Sequence, residues 1–232
     1  MLGNIFKGAK SANSANSAES ATKTPEGAPG PQARSFLPYF DQNFAGLLEH
    51  RAPGFRVMFE RLEARGHTAA PALIVETGSM REAGNWAGDG QSTFLWNEFG
   101  GFFKSEVHTV DLAPEAAVVV REYCCGDVTA HTGDSVAFLH EMATRANPPQ
   151  IDLLYLDSYD YDIADPFPSA FHHIKELIAV RPCLRRGSVI AIDDNYVHPD
   201  GRIEGKGYLA AEFFRHLGIP CIHQGHQLVW QL

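Results

Sequence analysis

After Gly66 the sequence alternates short, β-rich apolar runs with longer stretches of helical spacing, and it keeps that rhythm to its end. The runs are Ala72 to Glu76, Glu106 to Asp111, Val128 to His131, Ile151 to Asp157, Ser188 to Asp193, Pro220 to His223 and Gln227 to Gln231. Between them Thr93 to Phe103, Ala113 to Tyr123, Ser135 to Thr144, Ser169 to Val180 and Leu209 to Leu217 read as helices. Strands that alternate with helices pair in parallel and place the helices on both faces of one sheet. The expected fold is therefore α/β: a doubly wound, mostly parallel sheet of seven strands. The last two runs lie too close for a crossover helix, so they should form an antiparallel hairpin at or near one edge. The C-terminal strand is then the reversed one.

Upstream, the stretch Ser11 to Gln32 mixes Ala, Ser, Asn, Thr, Pro and Gly, including the repeat SANSANSA, and has too little apolar surface to offset ordering entropy. Residues 1–34 are expected to be a flexible, low-complexity tail and residues 35–232 one domain. Apolar residues at helical spacing between Phe36 and Arg65 predict two helices ahead of the sheet, separated at Pro53 and Gly54. A length of 232 residues suits a single core with a tail. No apolar run approaches the ~20 residues that a spanning helix needs. The formal net charge of −9 argues against a nucleic-acid surface, which depends on clustered Lys and Arg, and points to a small acceptor molecule as partner. Cys124, Cys125, Cys183 and Cys221 match neither a CxxC pair nor a disulfide framework. Met1 to Lys10 lacks the apolar core of a secretory signal, so cytoplasm is the expected location. The sequence leaves a homo-oligomer open.

In an open parallel sheet, ligands bind beyond the carboxyl ends of the strands, where the connections diverge. The first strand ends in Glu76-Thr77-Gly78-Ser79. A loop containing Gly84 to Thr93 then leads into a helix that Ser92 or Thr93 can cap. No Gly-Lys-Ser/Thr follows, and there is no compact GxGxxG, which counts against nucleotide hydrolysis and the common dinucleotide fingerprint. Glu-Thr-Gly followed by Gly-x-Ser-Thr resembles the cofactor loop of class I S-adenosylmethionine-dependent methyltransferases, from about Pro71 to the C-terminus. The resemblance implies a Rossmann-like sheet, S-adenosylmethionine as cofactor, and Glu76, Gly78, Ser79, Gly90 and Ser92 as cofactor residues. The loop departs from the family in length, because Met-Arg-Glu-Ala-Gly-Asn-Trp-Ala intervenes at residues 80–87.

Asp111 ends the second strand, where a carboxylate either accepts hydrogen bonds from two ribose hydroxyls or caps the next helix. The third strand is followed by Asp134, in a segment that resembles the family's adenine-binding region, and Asp134 also suits a helix cap. Acids crowd the next two strand ends, as Asp157 with Asp160 and Asp162, and as Asp193-Asp194-Asn195. Such oxygen clusters suit a hard cation, and the same residues also suit solvated caps and turns. The set Asp157, Asp194 and Asn195 is similar to the magnesium site of catechol-type O-methyltransferases, and the resemblance implies Mg2+ or a similar divalent cation that assists O-methylation at Asp157. Where those enzymes carry a lysine, three residues after the first metal Asp, this chain has Asp160. His172, His173 and His198 are the candidate bases, with His198 preferred for its proximity to Asp194-Asn195. Lys206, within Gly205-Lys206-Gly207, either orients an anionic substrate or belongs to an ordinary loop. The acceptor pocket is expected to draw on Trp86, Tyr159, Tyr161 and Phe167. The competing reading is a catalytically inactive Rossmann-like module kept for partner binding.

Overall fold

The computed structural model describes residues 35–65, 71–88, 91–124 and 128–232. Expectations for residues 1–34, Gly90 and Cys125 fall outside the described residues. The chain opens with helices α1 Leu37–Asn43, α2 Ala45–Leu48 and α3 Ala52–Ala64, the last entered through a 3-10 turn at Glu49–Arg51. Pro53 and Gly54 do not separate helices as expected. They lie in the first turn of α3, where the N–H that proline lacks would have had no partner. The break falls instead at Glu49, whose φ is 49°. Gly54 is required for a different reason: a Cβ there would collide with the side chain of Gln227.

From β1 onward the observed elements follow the expected order. They are β1 Leu73–Thr77, α4 Ser92–Phe103, β2 Glu106–Asp111, α5 Pro114–Tyr123, β3 Val128–Thr132, α6 Ser135–Ala143, β4 Leu153–Leu156, α7 Phe167–Val180, β5 Val189–Ile192, β6 Asn195–Val197, β7 Ile203–Gly205, α8 Tyr208–His216, β8 Cys221–Gln224 and β9 Leu228–Gln231. The seven-stranded sheet has the order β3-β2-β1-β4-β5-β9-β8, and β9 runs antiparallel to both of its neighbours. The small β6–β7 hairpin was not expected, since three residues per strand are too few to show a period.

Strands in the middle of such a sheet are covered on both faces, which is why β4 and β5 are apolar at consecutive positions and buried throughout. Successive side chains alternate between two cores. Leu153 and Tyr155 face α1, α3 and α4, where Phe36, Phe55, Phe59, Trp96 and Phe99 pack together. Leu154 and Leu156 face α6, α7 and α8 with Leu139, Leu177 and Phe214. Trp96 and Phe55 hold the Tyr155 ring between them, with centroids 5.3 Å and 5.7 Å away. This buried aromatic layer aims the Tyr155 hydroxyl at the carboxyl end of the sheet, onto Asp193. Cys183 is a buried free thiol and Cys221 a partly buried one. Among the described residues no helix is long and apolar enough to cross a membrane.

Candidate active site

The strand order reverses between β1 and β4, and a cavity of about 630 Å³ opens at their carboxyl ends. Gly78 turns the chain out of β1 with φ 82°, and its N–H donates to the Val110 carbonyl. The next amide, Ser79 N–H, donates to Asp111 Oδ2 at 3.0 Å, while Asp111 Oδ1 accepts from Ala113 N–H at 2.8 Å. Asp111 thus organises both the first loop and the entry to α5, and its carboxylate keeps lone pairs for a ligand in the cavity it lines. Gly78, Ser79, Ser92 and Asp134 line the same cavity. Asp134 also caps α6, accepting from Ala137 N–H at 2.8 Å.

Glu76 occupies a different place from the expected one. It is fully enclosed beneath the loop and accepts from Thr93 Oγ1, Thr109 Oγ1 and Trp96 Nε1. Burial pushes its carboxyl up to about 7 against those hydrogen bonds. Its role in the structure is to tie β1, β2 and α4 together rather than to touch the cavity. Thr93 and Ser92 do not cap α4, because the cap position belongs to Gln91, in left-handed conformation at φ 53°. The Gln91 side chain accepts from Gly84 N–H and donates to the Glu82 carbonyl, stapling the long insertion in place. Trp86, expected in the acceptor pocket, instead stacks on Phe44 with ring centroids 5.8 Å apart. Among the expected pocket aromatics Tyr159 lines the cavity, whereas Phe167 stacks on Phe171 at the surface.

At the other end of the cavity lie the acids of β4 and β5. Asp193 is fully buried and accepts from Arg51, Tyr155 and Gln227 Nε2, so the 3-10 turn before α3 and the β8–β9 turn both close on it. Asp194 has φ 56°, an uncommon conformation that aspartate tolerates better than most residues. Its carboxylate meets Lys206 Nζ at 2.9 Å and His226 Nε2 at 3.1 Å. Lys206 Nζ also donates to Asp157 Oδ1 at 2.7 Å. Burial opposes the charge on Lys206, but Asp157 and Asp194 outweigh it and hold the ammonium well above its usual range. Burial likewise opposes ionisation of Asp194, and the His226 hydrogen bond with the Lys206 charge holds it well below the usual carboxylate range.

This arrangement does not fit the expected divalent cation. Asn195 points away from the cavity: its Oδ1 accepts from Gly207 N–H at 2.7 Å, and its Nδ2 donates to the Ile192 carbonyl at 2.8 Å. Asp157 and Asp194 line the cavity, but the Lys206 ammonium joins them, so a cation between them would have to displace it. Asp193, Asp194 and His226 place one ligand atom each within 4.8 Å of one another, yet Asp193 is already engaged by Arg51, Tyr155 and Gln227. His198 is corrected too. It belongs to the β6–β7 hairpin, 3.0 Å from Glu204, and does not line the cavity. Among the described residues, three other imidazoles do, those of His50, His172 and His226. His172 Nε2 is bonded to Ser135 Oγ at 2.9 Å, whereas His173 is fully buried, where desolvation pushes it down to about 4. Sequence reasoning missed Arg51, His50 and His226. The signal for His226 was available: a reversed β9 beside β5 brings the β8–β9 turn to the carboxyl end of the sheet, as the Ile192–Leu228 pairing requires.

No family model matches the sequence, and no curated protein matches it significantly. Solved structures do share its architecture. CalS11, a calicheamicin methyltransferase, matches with a TM-score of 0.53 at 16% identity, over 84% of this chain and 82% of that one. The chain has the class I methyltransferase fold. MycE, a methyltransferase of mycinamycin biosynthesis solved with Mg and S-adenosylhomocysteine, matches this methyltransferase fold with a TM-score of 0.53 at 18% identity, over 88% of this chain and 55% of that one. The chain therefore spans just over half of MycE. A structure described as a pericyclic reaction enzyme matches with a TM-score of 0.50 at 16% identity, over 84% of this chain and 53% of that one.

Proposed function

We propose that this protein transfers the methyl group of S-adenosylmethionine to a hydroxyl oxygen of a small molecule. The observation that carries the reading is a single cavity at the strand-order reversal with two chemically distinct ends. Gly78, Ser79, Ser92, Asp111 and Asp134 form one end, suited to an amino acid carboxylate, a ribose and a base. Asp157, Asp194, Lys206 and His226 form the other, suited to a hydroxyl that must lose its proton. The volume, about 630 Å³, lies within the range of pockets that enclose small ligands.

When bound, S-adenosylmethionine supplies an electrophilic methyl group on a sulfonium. The protein's part is to hold the acceptor oxygen in line, exclude water and take its proton. His226 suits the last task in place of His198. Its Nε2–H donates to Asp194 at 3.1 Å, which leaves the Nδ1 lone pair to receive the proton. Burial opposes charge on this imidazole, but Asp194 and Asp193 outweigh it and raise its affinity for a proton. The positive charge of Lys206 favours the oxyanion that develops as the proton leaves.

A shared fold does not fix the reaction, and one similar structure is described as a pericyclic reaction enzyme. Calorimetric titration with S-adenosylmethionine and S-adenosylhomocysteine tests the cofactor, with micromolar dissociation constants expected. Release of S-adenosylhomocysteine in the presence of panels of phenols, sugars and macrolide alcohols tests the transfer. Tight cofactor binding with no release across oxygen, nitrogen and carbon acceptors would favour a binding module or another reaction.

A further inference from the structure

Two glycines bracket Lys206, and both are demanded by the close approach that carries its side chain inward. Gly205 has φ 118°, and a Cβ there would collide with the Asp194 carbonyl; a Cβ on Gly207 would lie 2.8 Å from Asn195 Oδ1. The Lys206 side chain is only 3% exposed. Its Nζ donates to Asp157 Oδ1 at 2.7 Å and to the Asp157 carbonyl at 3.2 Å, and forms an ion pair with Asp194 Oδ2 at 2.9 Å. A buried ammonium held this way does what a metal ion would do between two strand-end carboxylates: it offsets their repulsion, fixes their spacing and presents positive charge to the cavity.

We infer that Lys206 is the built-in cation of this site, taking the place of a divalent metal so that the protein acts on its acceptor without one. The charge balance supports this. Asp157, Asp193 and Asp194 face the permanent cations Arg51 and Lys206 and the imidazole of His226. A divalent ion would have to expel the ammonium, because Asn195 and Asp193 are committed to other partners. The contact to the Asp157 carbonyl is the longest of the three, and it is the one that an acceptor oxygen takes over. The acceptor's part in this inference rests on the methyltransferase reading; the exclusion of a metal by Lys206 does not.

The test is Mn2+ titration of the full chain without cofactor, followed by the electron paramagnetic resonance signal of the free ion. It compares wild type, Lys206→Met and the double variant Lys206→Met/Asp194→Asn. The wild type should bind no Mn2+ below about 1 mM and should unfold at the same temperature in EDTA and in MgCl2. Lys206→Met should take up Mn2+ with an affinity roughly tenfold or more above wild type, and the double variant should lose that gain. Micromolar binding by the wild type that Asp157→Asn abolishes would overturn the inference, as would a folded Lys206→Met with no gain. Should Lys206→Met fold only when MnCl2 is present, the inference is supported. Should it fail to fold in either condition, the wild-type titration decides alone. Calorimetry with S-adenosylhomocysteine on the same wild-type sample keeps the two readings apart, since failure to bind it removes the methyltransferase reading and leaves the Mn2+ result standing.

Discussion

Gly78 and Asp157 meet where β1 and β4 end: a Cβ on Gly78 would lie 2.5 Å from the Asp157 carbonyl oxygen. The turn at the proposed cofactor end of the cavity is thereby packed on the backbone of the strand that leads to Asp157. Gly78 also has φ 82°, which side-chain-bearing residues adopt at a cost. Gly78→Ala should therefore lower stability by about 2 kcal/mol or more and weaken S-adenosylhomocysteine binding. Denaturant unfolding together with calorimetry checks both effects, and an alanine variant with wild-type values in each would remove this coupling.

Asp111 binds two backbone amides, Ser79 N–H and Ala113 N–H, and still faces the cavity. Asp111→Asn keeps the shape but removes the charge and one acceptor oxygen. Its affinity for S-adenosylhomocysteine should fall by tenfold or more, the effect of losing roughly 1.5–3 kcal/mol of charged hydrogen bonding. Unchanged affinity would show that the ribose contact lies elsewhere.

The His226 imidazole is held by Asp194, so its folded-state proton affinity exceeds the ordinary value of 6.5. The stability it contributes is fully present below pH 6.5 and is lost as pH rises through the higher folded value. The stability gap between wild type and His226→Gln should accordingly shrink from pH 6 to pH 9. If His226 is the base as proposed, turnover uses the neutral imidazole, so the rate should rise over the same window, and His226→Gln should abolish that limb. A rate profile in which the variant keeps the wild-type limb would assign the proton to another group.

Glu76 sits in the opposite structural setting, enclosed, with Thr93, Thr109 and Trp96 as its hydrogen-bond donors. Its folded value is pushed up to about 7 from 4.5 by burial. The folded state then favours the protonated acid, so stability is greatest below pH 4.5 and declines as pH rises from 4.5 to about 7. The decline attributable to this residue is on the order of 3 kcal/mol. Glu76→Gln, which cannot ionise, should show a correspondingly flatter pH dependence in urea unfolding. Parallel curves for the two proteins would mean that Glu76 is ionised in the fold at little cost.

The sheet, its reversed last strand and the helices on both faces were legible in the sequence because each rests on local periodicity and on the reach of short connections. Val189 to Ile192 is apolar at consecutive positions and so must be covered twice; the few residues between Cys221–Gln224 and Leu228–Gln231 can only make a hairpin. The ends of strands were legible for the same reason, which is why Asp111, Asp134, Asp157 and Asp194 were found beside the cavity. What those side chains do there was not legible. Asn195 and Asp194 are adjacent in sequence, yet Asn195 turns inward to Gly207 while Asp194 faces Lys206. His198 was near the acids along the chain but bends away on a hairpin too short to show a pattern, and His226 was distant along the chain but is brought back by the antiparallel β9. Sequence spacing constrains backbone direction over a few residues, whereas the partner of a buried charge is chosen by which elements the whole fold packs together. That choice placed the Lys206 ammonium between Asp157 and Asp194, where the strand-end acids had suggested a metal.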